Sequence, residues 1–314
     1  MACLMPLRAV RVGDKVLVKK RVDLFEDLNG TIDLSTGEYC EPFDVPCGKC
    51  LNCRLDYART WANRCMLESM YWESNWFITF TYDDEHLPVG KMDLATLKAK
   101  DTQDFMKRLR KYYSDRGHEN VRFYLAGEYG DTTFRPHYHM LGFNLPINDL
   151  FLYSRSLLGD CYYVSASLSK IWGKGFVVVA ELTEQSASYT ARYCMKKANK
   201  SIDYDAVGIE KEFVRMSRRP GIGYYYFIDH LDEVYDDGKI YLPNGKTCAP
   251  FRYFDEKAQA LGINVEKAKN ERQQRAILQE QERCRLLSVD EWQRFEDMEE
   301  ALTKSARSLK RNLC

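Results

Sequence analysis

The segment Arg135-Pro136-His137-Tyr138-His139 sets two imidazoles two residues apart. On a strand, residues i and i+2 point to the same face. His137 and His139 can therefore reach one ion while Tyr138 and Met140 turn the other way to pack. The run from Val121 to Glu128 reads as the first strand of a hairpin whose second strand is His137 to Phe143. If Glu128 stands opposite His137, then Ala126 stands opposite His139, and opposed side chains share a face about 5 Å apart at Cβ. Glu128, His137 and His139 would then make a two-imidazole, one-carboxylate site with positions open to substrate oxygens. Mn²⁺ or Mg²⁺ suits such a mixed set, and Zn²⁺ would also fit. The bland alternative is two surface histidines, and a one-residue slip would carry Glu128 to the other face.

A second group lies at Tyr189-Thr190-Ala191-Arg192-Tyr193-Cys194-Met195-Lys196-Lys197. Tyr189 and Tyr193 share one face of a helix. Arg192 follows Tyr189 by three residues and Lys196 follows Tyr193 by three, so each phenol has a cation one turn away. A cation favours phenolate and stabilises charge developing on a transferring phosphoryl group. The competing reading is an amphipathic helix with two tyrosines at a core edge, in a chain that has 21 tyrosines. A third group, Cys47, Cys50 and Cys53, repeats CxxC twice. With Cys40 or Cys65 it would complete a tetrahedral set for a structural Zn²⁺; otherwise it is a row of buried reduced thiols.

Taken together, these groups resemble a known family. The histidine triplet resembles the HUH signature of rolling-circle replication initiators, and the Tyr189–Tyr193 helix resembles their two-tyrosine subclass. Phe77-Ile78-Thr79-Phe80-Thr81-Tyr82 is similar to the superfamily's first motif. Pro46-Cys47-Gly48-Lys49-Cys50-Leu51-Asn52-Cys53-Arg54 and Ser217-Arg218-Arg219-Pro220-Gly221-Ile222-Gly223 carry the likeness beyond the core. The set resembles the replication initiation proteins of gokushoviruses, single-stranded DNA phages of the microvirus family.

That resemblance implies a metal-dependent endonuclease and strand-joining enzyme. His137 and His139, with Glu128, would hold the divalent ion. Tyr189 and Tyr193 would attack the origin phosphodiester to give a 5′-phosphotyrosine and a free 3′-hydroxyl, with Lys196 assisting at the phosphate and Arg192 and Lys197 contacting DNA. The implied partners are single-stranded or supercoiled phage origin DNA and the host helicase and polymerase, in the cytoplasm of a bacterial host. A transposase or relaxase shares the chemistry on another substrate. A non-catalytic, RRM-like binder shares the sheet, but the RNP1 pattern is missing from the strands that can be identified.

The elements that must position these residues follow from periodicity. A helical pattern covers about 54–74, and Trp76 to Tyr82 alternates as a strand. Asp101 can cap a helix near 102–116. The hairpin follows, then a less regular stretch at 145–172 ending in a short helix. A strand spans Phe176 to Leu182, and Thr183 can cap a helix that runs to about Lys197. The order β, α, β, β, α, β, α predicts an α+β fold: an antiparallel sheet with flanking helices, ferredoxin-like or RRM-like. The expected domains are an N-terminal arm with the cysteine cluster and a helix (1–75), an HUH endonuclease core (76–203) and a C-terminal extension with a long helical tail at about 255–312.

Composition bounds the rest. The 314 residues carry 46 basic and 46 acidic side chains, with 45% hydrophobic and 29% charged residues. Zero net charge argues against a histone-like binder held by bulk charge but leaves local basic patches free to act. Such patches are Arg54/Arg59/Arg64, Lys107 to Lys111, Lys196/Lys197/Lys200 and Arg215/Arg218/Arg219. Tyr112, Tyr113 and Tyr224 to Phe227 lie among them as candidate stacking platforms. No apolar run is long enough for a membrane span, and Met1 to Val18 lacks the apolar centre of a signal peptide. Eleven cysteines, an odd number, fit thiols or metal ligands in a reducing compartment. Gly245-Lys246-Thr247 does not complete a P-loop, and Asn244-Gly245 reads as a hairpin turn.

Overall fold

A computed structural model describes residues 3, 6–12, 15–20, 31–32, 39–40, 43–130, 132–196, 203–288 and 291–308. The chain divides into two compact units, residues 1–57 with 277–314, and residues 58–276.

In the first unit, β1 (Leu7–Val12) pairs antiparallel with β2 (Lys15–Lys20) and with β5 (Phe43–Val45). A short ladder joins β3 (Thr31–Ile32) to β4 (Tyr39–Cys40). Helix α1 (Leu51–Ser69) begins in this unit and continues into the second.

The second unit is built on seven strands. In chain order they and their helices are β6 (Asn75–Thr81), α2 (Ala99–Ser114), β7 (Arg122–Tyr129), β8 (Pro136–Phe143), β9 (Leu150–Arg155), β10 (Cys161–Ser165), α3 (Ala166–Trp172), β11 (Val177–Glu181), α4 (Glu184–Lys196), α5 (Tyr204–Val207) and β12 (Phe213–Met216). The sheet order is β12-β7-β8-β6-β11-β10-β9, and each neighbouring pair is antiparallel. The inner four, β7-β8-β6-β11, have the split-βαβ order. The fold is thus α+β, an antiparallel sheet flanked by helices.

Strand alternation sends the two sets of side chains into different cores. Ile78, Phe80, Leu125, Tyr138, Met140, Val177 and Val179 pack against Phe105 and Leu109 of α2 and Leu168 and Trp172 of α3. Trp172 contacts Phe80, Tyr82, Phe105 and Tyr138, and its indole N–H donates to the Thr81 carbonyl at 2.9 Å. The other face carries Tyr124, Leu141 and Phe143 against Ala58, Ala62 and Cys65 of α1 and Ala187 and Ala191 of α4.

Two differences from the sequence expectation have clear causes. Asp101 lies inside α2 rather than at its cap, where Lys98 stands. The buried Tyr82 hydroxyl needs an acceptor and donates to Asp101 Oδ2 at 2.9 Å. The irregular stretch at 145–172 holds two strands before α3. The side chains of β9 are mostly exposed, so no apolar alternation marked it.

After β12 come α6 (Tyr224–Asp229), α7 (Leu231–Asp236), a hairpin of β13 (Ile240–Tyr241) and β14 (Thr247–Cys248), α8 (Arg252–Ala260), α9 (Glu266–Leu287) and α10 (Glu291–Ser308). Gly245, at φ +76°, sits in the hairpin turn expected at Asn244-Gly245. The expected continuous tail is three helices. Gly262, at φ +83°, follows α8, whose Phe254 and Ala258 close a third core with Leu67, Tyr226 and Phe227. Most described side chains of α9 are exposed, because it carries charge on all faces and no apolar stripe.

Candidate active site

The hairpin register is the one that places the three ligands together: Glu128 pairs with His137 and Ala126 with His139. His137 Nε2 and His139 Nε2 lie 2.8 and 3.0 Å from the same oxygen, Glu128 Oε1. Glu128 and His139 are buried, and His137 is half-buried. Burial alone would raise the Glu128 carboxyl. Hydrogen bonds from both imidazoles and their positive charge outweigh it and hold the group well below the usual carboxylate range.

The far ring nitrogens are also engaged. His137 Nδ1 lies 3.1 Å from the Arg135 carbonyl, and His139 Nδ1 lies 3.0 Å from Thr79 Oγ1. With Nδ1–H donating to these oxygens, both Nε2 lone pairs are directed at the shared point, the arrangement by which metal-ligating histidines are oriented. Arg135 is itself fixed, its guanidinium donating to the Tyr82 carbonyl at 2.9 Å and to Asp84 at 2.7 Å. The donor set and its supporting bonds fit a divalent cation.

Helix α4 crosses the same face. Thr183 caps it as expected: its Oγ1 accepts from the Ser186 N–H at 3.2 Å, and Ser186 Oγ accepts from the Thr183 N–H at 2.9 Å. The contact residues Ala187 and Ala191 are fully buried and small, so the helix lies close to the sheet. That approach brings the Tyr189 ring within 5.1 Å of the His139 ring, edge-on at 79°. Phe77 stacks on His139 at 5.3 Å and meets Tyr189 edge-on at 6.2 Å. Arg192, half-buried, lies on the same helix. Tyr193 and Lys196 belong to the last turns of α4, but their side chains lie outside the described residues, as does all of Lys197.

The cysteines form a separate group in the first unit. Cys47, Cys50 and Cys53 converge with Cys3, their sulfurs within 4.8 Å of one another. Cys65, one of the two expected fourth members, is instead buried in the core beside α4; the Cys40 side chain lies outside the described residues. Burial raises the Cys47 thiol, but N–H donors from Cys50 and Lys49 outweigh it and bring it down to about 7. Burial pushes Cys53 up.

Several basic and aromatic candidates serve the fold instead. Arg64 is buried and donates twice to the Ile222 carbonyl, at 3.0 and 2.8 Å. Lys107 to Lys111 lie on α2, over the sheet face opposite the histidines, and Arg108 donates to the Ile171 and Trp172 carbonyls. Tyr226 and Phe227 are core residues.

Sequence reasoning missed Thr79 as a histidine partner, Phe77 as the ring beneath His139, and Cys3. Thr79 is opposite His139 only because β6 pairs with β8, a contact between distant segments. Cys3 is 44 residues from Cys47 and has no local spacing signal.

Comparison with known proteins agrees with this arrangement. A family model for the replication-associated protein ORF2 matches residues 75–198, the span from β6 to just beyond α4. The replication-associated protein ORF2 of Spiroplasma virus 4 is 37% identical over 268 residues, covering 82% of this chain and 81% of that protein. The replication-associated protein VP4 of Bdellovibrio phage phiMH2K is 35% identical over 220 residues, 68% of this chain and 67% of that one. ORF4 of Chlamydia phage 1, also a replication-associated protein, is 29% identical over 223 residues, 70% of this chain and 54% of that one. No solved structure matches. The chain belongs to the family of microvirus replication-associated proteins. No helix among the described residues is long and apolar enough to cross a membrane.

Proposed function

We propose that the chain is a rolling-circle replication initiator that nicks one strand at a phage origin and later rejoins the unit-length circle. The observation that carries this reading is the Tyr189 ring set against His139, in a cluster where two imidazole nitrogens meet one carboxylate oxygen.

His137, His139 and Glu128 would hold Mn²⁺ or Mg²⁺, and a cation there supplies Lewis-acid polarisation of a phosphodiester oxygen. The protein's own groups do the rest. Thr79 and the Arg135 carbonyl hold the imidazoles in the tautomer that frees Nε2. Helix α4 presents the phenol. The Tyr189 oxygen loses its proton and bonds to phosphorus, the P–O3′ bond breaks, and the 3′-oxygen leaves as a hydroxyl, so the proton moves in net from phenol to leaving group. The phosphotyrosine conserves the ester bond, and no ATP is required. Tyr193, one turn on, cleaves the regenerated origin. The freed 3′-hydroxyl then attacks the first phosphotyrosine and closes the circle. Lys196 steadies the phosphate, while Arg192 and Lys197 track the strand. A host helicase and polymerase in the bacterial cytoplasm supply unwinding and synthesis.

The test is incubation of the full chain with Mn²⁺ and an end-labelled, single-stranded origin oligonucleotide, resolved on a denaturing gel. A covalent adduct is expected, mapping by mass spectrometry to the peptide holding Tyr189 and Tyr193. The Tyr189→Phe/Tyr193→Phe double variant should bind DNA without forming the adduct. An adduct that survives in that variant overturns the nucleophile assignment.

A further inference from the structure

The four thiols of the first unit are arranged more closely than chance burial requires. Cys47 Sγ lies 4.0 Å from Cys53 Sγ, and Cys3 Sγ lies 3.9 Å from Cys50 Sγ. These separations are nearly twice a disulfide bond of about 2.05 Å. They are close to the roughly 3.8 Å between sulfurs of a tetrahedron with metal–sulfur bonds of about 2.3 Å.

The backbone is shaped to the sulfurs as well. The N–H groups of Lys49 and Cys50 donate to Cys47 Sγ at 3.4 and 3.2 Å, that of Cys53 to Cys50 Sγ at 3.5 Å, and that of Cys47 to Cys3 Sγ at 3.2 Å. Such donors stabilise thiolate over thiol. The turn from Cys47 to Cys50 passes through Gly48 at φ +68°, a conformation that side chains rarely adopt. Open space surrounds the position a Cβ would take there, so the backbone, not crowding, selects glycine.

We propose that Cys3, Cys47, Cys50 and Cys53 hold one structural Zn²⁺. Four soft thiolates in a tetrahedron select zinc over the hard cations suited to the histidine–carboxylate cluster. With every position filled by sulfur, the site has no opening for substrate, which marks it as structural. Its ligands precede β1, follow β5 and enter the first turn of α1. The ion therefore ties together three segments of a unit whose largest sheet has three strands. A small unit of that kind gains most from such a tie.

The test uses the full chain purified without added zinc and measured by elemental analysis. About one zinc per chain is expected in the wild type and in His139→Ala, with a loss of about fivefold or more in Cys3→Ala and Cys47→Ala. Zinc lost in His139→Ala but kept in the cysteine variants would place the metal in the other cluster and overturn the proposal. If the cysteine variants do not fold, alkylation of the folded wild type decides. Protection of these four thiols, relieved when an organomercurial releases zinc, supports the site. A folded, zinc-free wild type, or mapped disulfides among the four, refutes it.

Discussion

Thr79 Oγ1 and His139 Nδ1 meet 3.0 Å apart across the β6–β8 pairing. The contact fixes which nitrogen of His139 carries its proton, because the other nitrogen faces Glu128. Thr79→Val keeps the shape and removes the acceptor. Loss of such a partner weakens metal binding by about 10-fold or more. Titration calorimetry with Mn²⁺ should show that loss in Thr79→Val and near-wild-type affinity in Thr79→Ser. Equal affinities in all three proteins would mean that the hydroxyl does not orient the imidazole.

Asp149 supports a pH-dependent prediction away from any metal. Its carboxylate accepts from Ser165 Oγ at 2.6 Å, from the Ser167 N–H at 2.7 Å and from Ser167 Oγ at 3.0 Å, at the start of α3. Burial pulls its pKa up, but these donors outweigh burial and set it below the ordinary value of 3.8. A carboxyl depressed on folding stabilises the protein above its unfolded pKa, and that contribution fades as pH falls toward the folded one. Asp149→Ala should lower stability by about 1–2 kcal/mol at pH 7. In thermal unfolding, the gap between variant and wild type should narrow as pH drops below about 4. A gap that widens in acid would contradict this account.

How legible this was in the sequence depended on distance along the chain. The Glu128–His137 pairing could be read because a hairpin is local and its alternation fixes the face. The Thr183 cap and the Asn244-Gly245 turn could be read for the same reason. Thr79 could not, since its position opposite His139 depends on β6 lying beside β8 after an intervening helix and strand. Cys3 was hidden by the long loop it closes. The basic runs misled because charge pattern does not say which sheet face a helix covers. Arg64 and Arg108 prove to hold backbone carbonyls.

Helix α2 and helix α4 lie over opposite faces of the sheet, so their cations should behave differently toward DNA. Arg192 shares a helix with Tyr189, whereas Lys107 and Lys111 are exposed on α2. Arg192→Ala should weaken binding of single-stranded origin DNA severalfold and flatten its salt dependence by about one unit of slope. Lys107→Ala/Lys111→Ala should leave both affinity and adduct yield within about twofold. Fluorescence anisotropy over a salt series measures both, and the reverse ranking would move the strand to the α2 face.

The buried Glu68 governs how the Ser217–Gly223 segment is held. Its carboxylate pairs with Arg122 and accepts from the Trp72 indole at 3.0 Å and the Gly223 N–H at 2.7 Å. Arg122 in turn donates to the Pro220 and Gly221 carbonyls at 3.0 and 3.1 Å. Glu68 and Arg122 have side chains only 0% and 5% exposed, so removing one leaves the other charged without water. Glu68→Ala should cost about 3–5 kcal/mol, or about 10 °C in Tm for a unit of this size. The double variant Glu68→Leu/Arg122→Met, which removes both charges, should recover a large part of that loss. Calorimetric unfolding of the three proteins separates the cases. If the double variant is as unstable as Glu68→Ala, the penalty comes from lost anchorage of the segment and not from the stranded guanidinium.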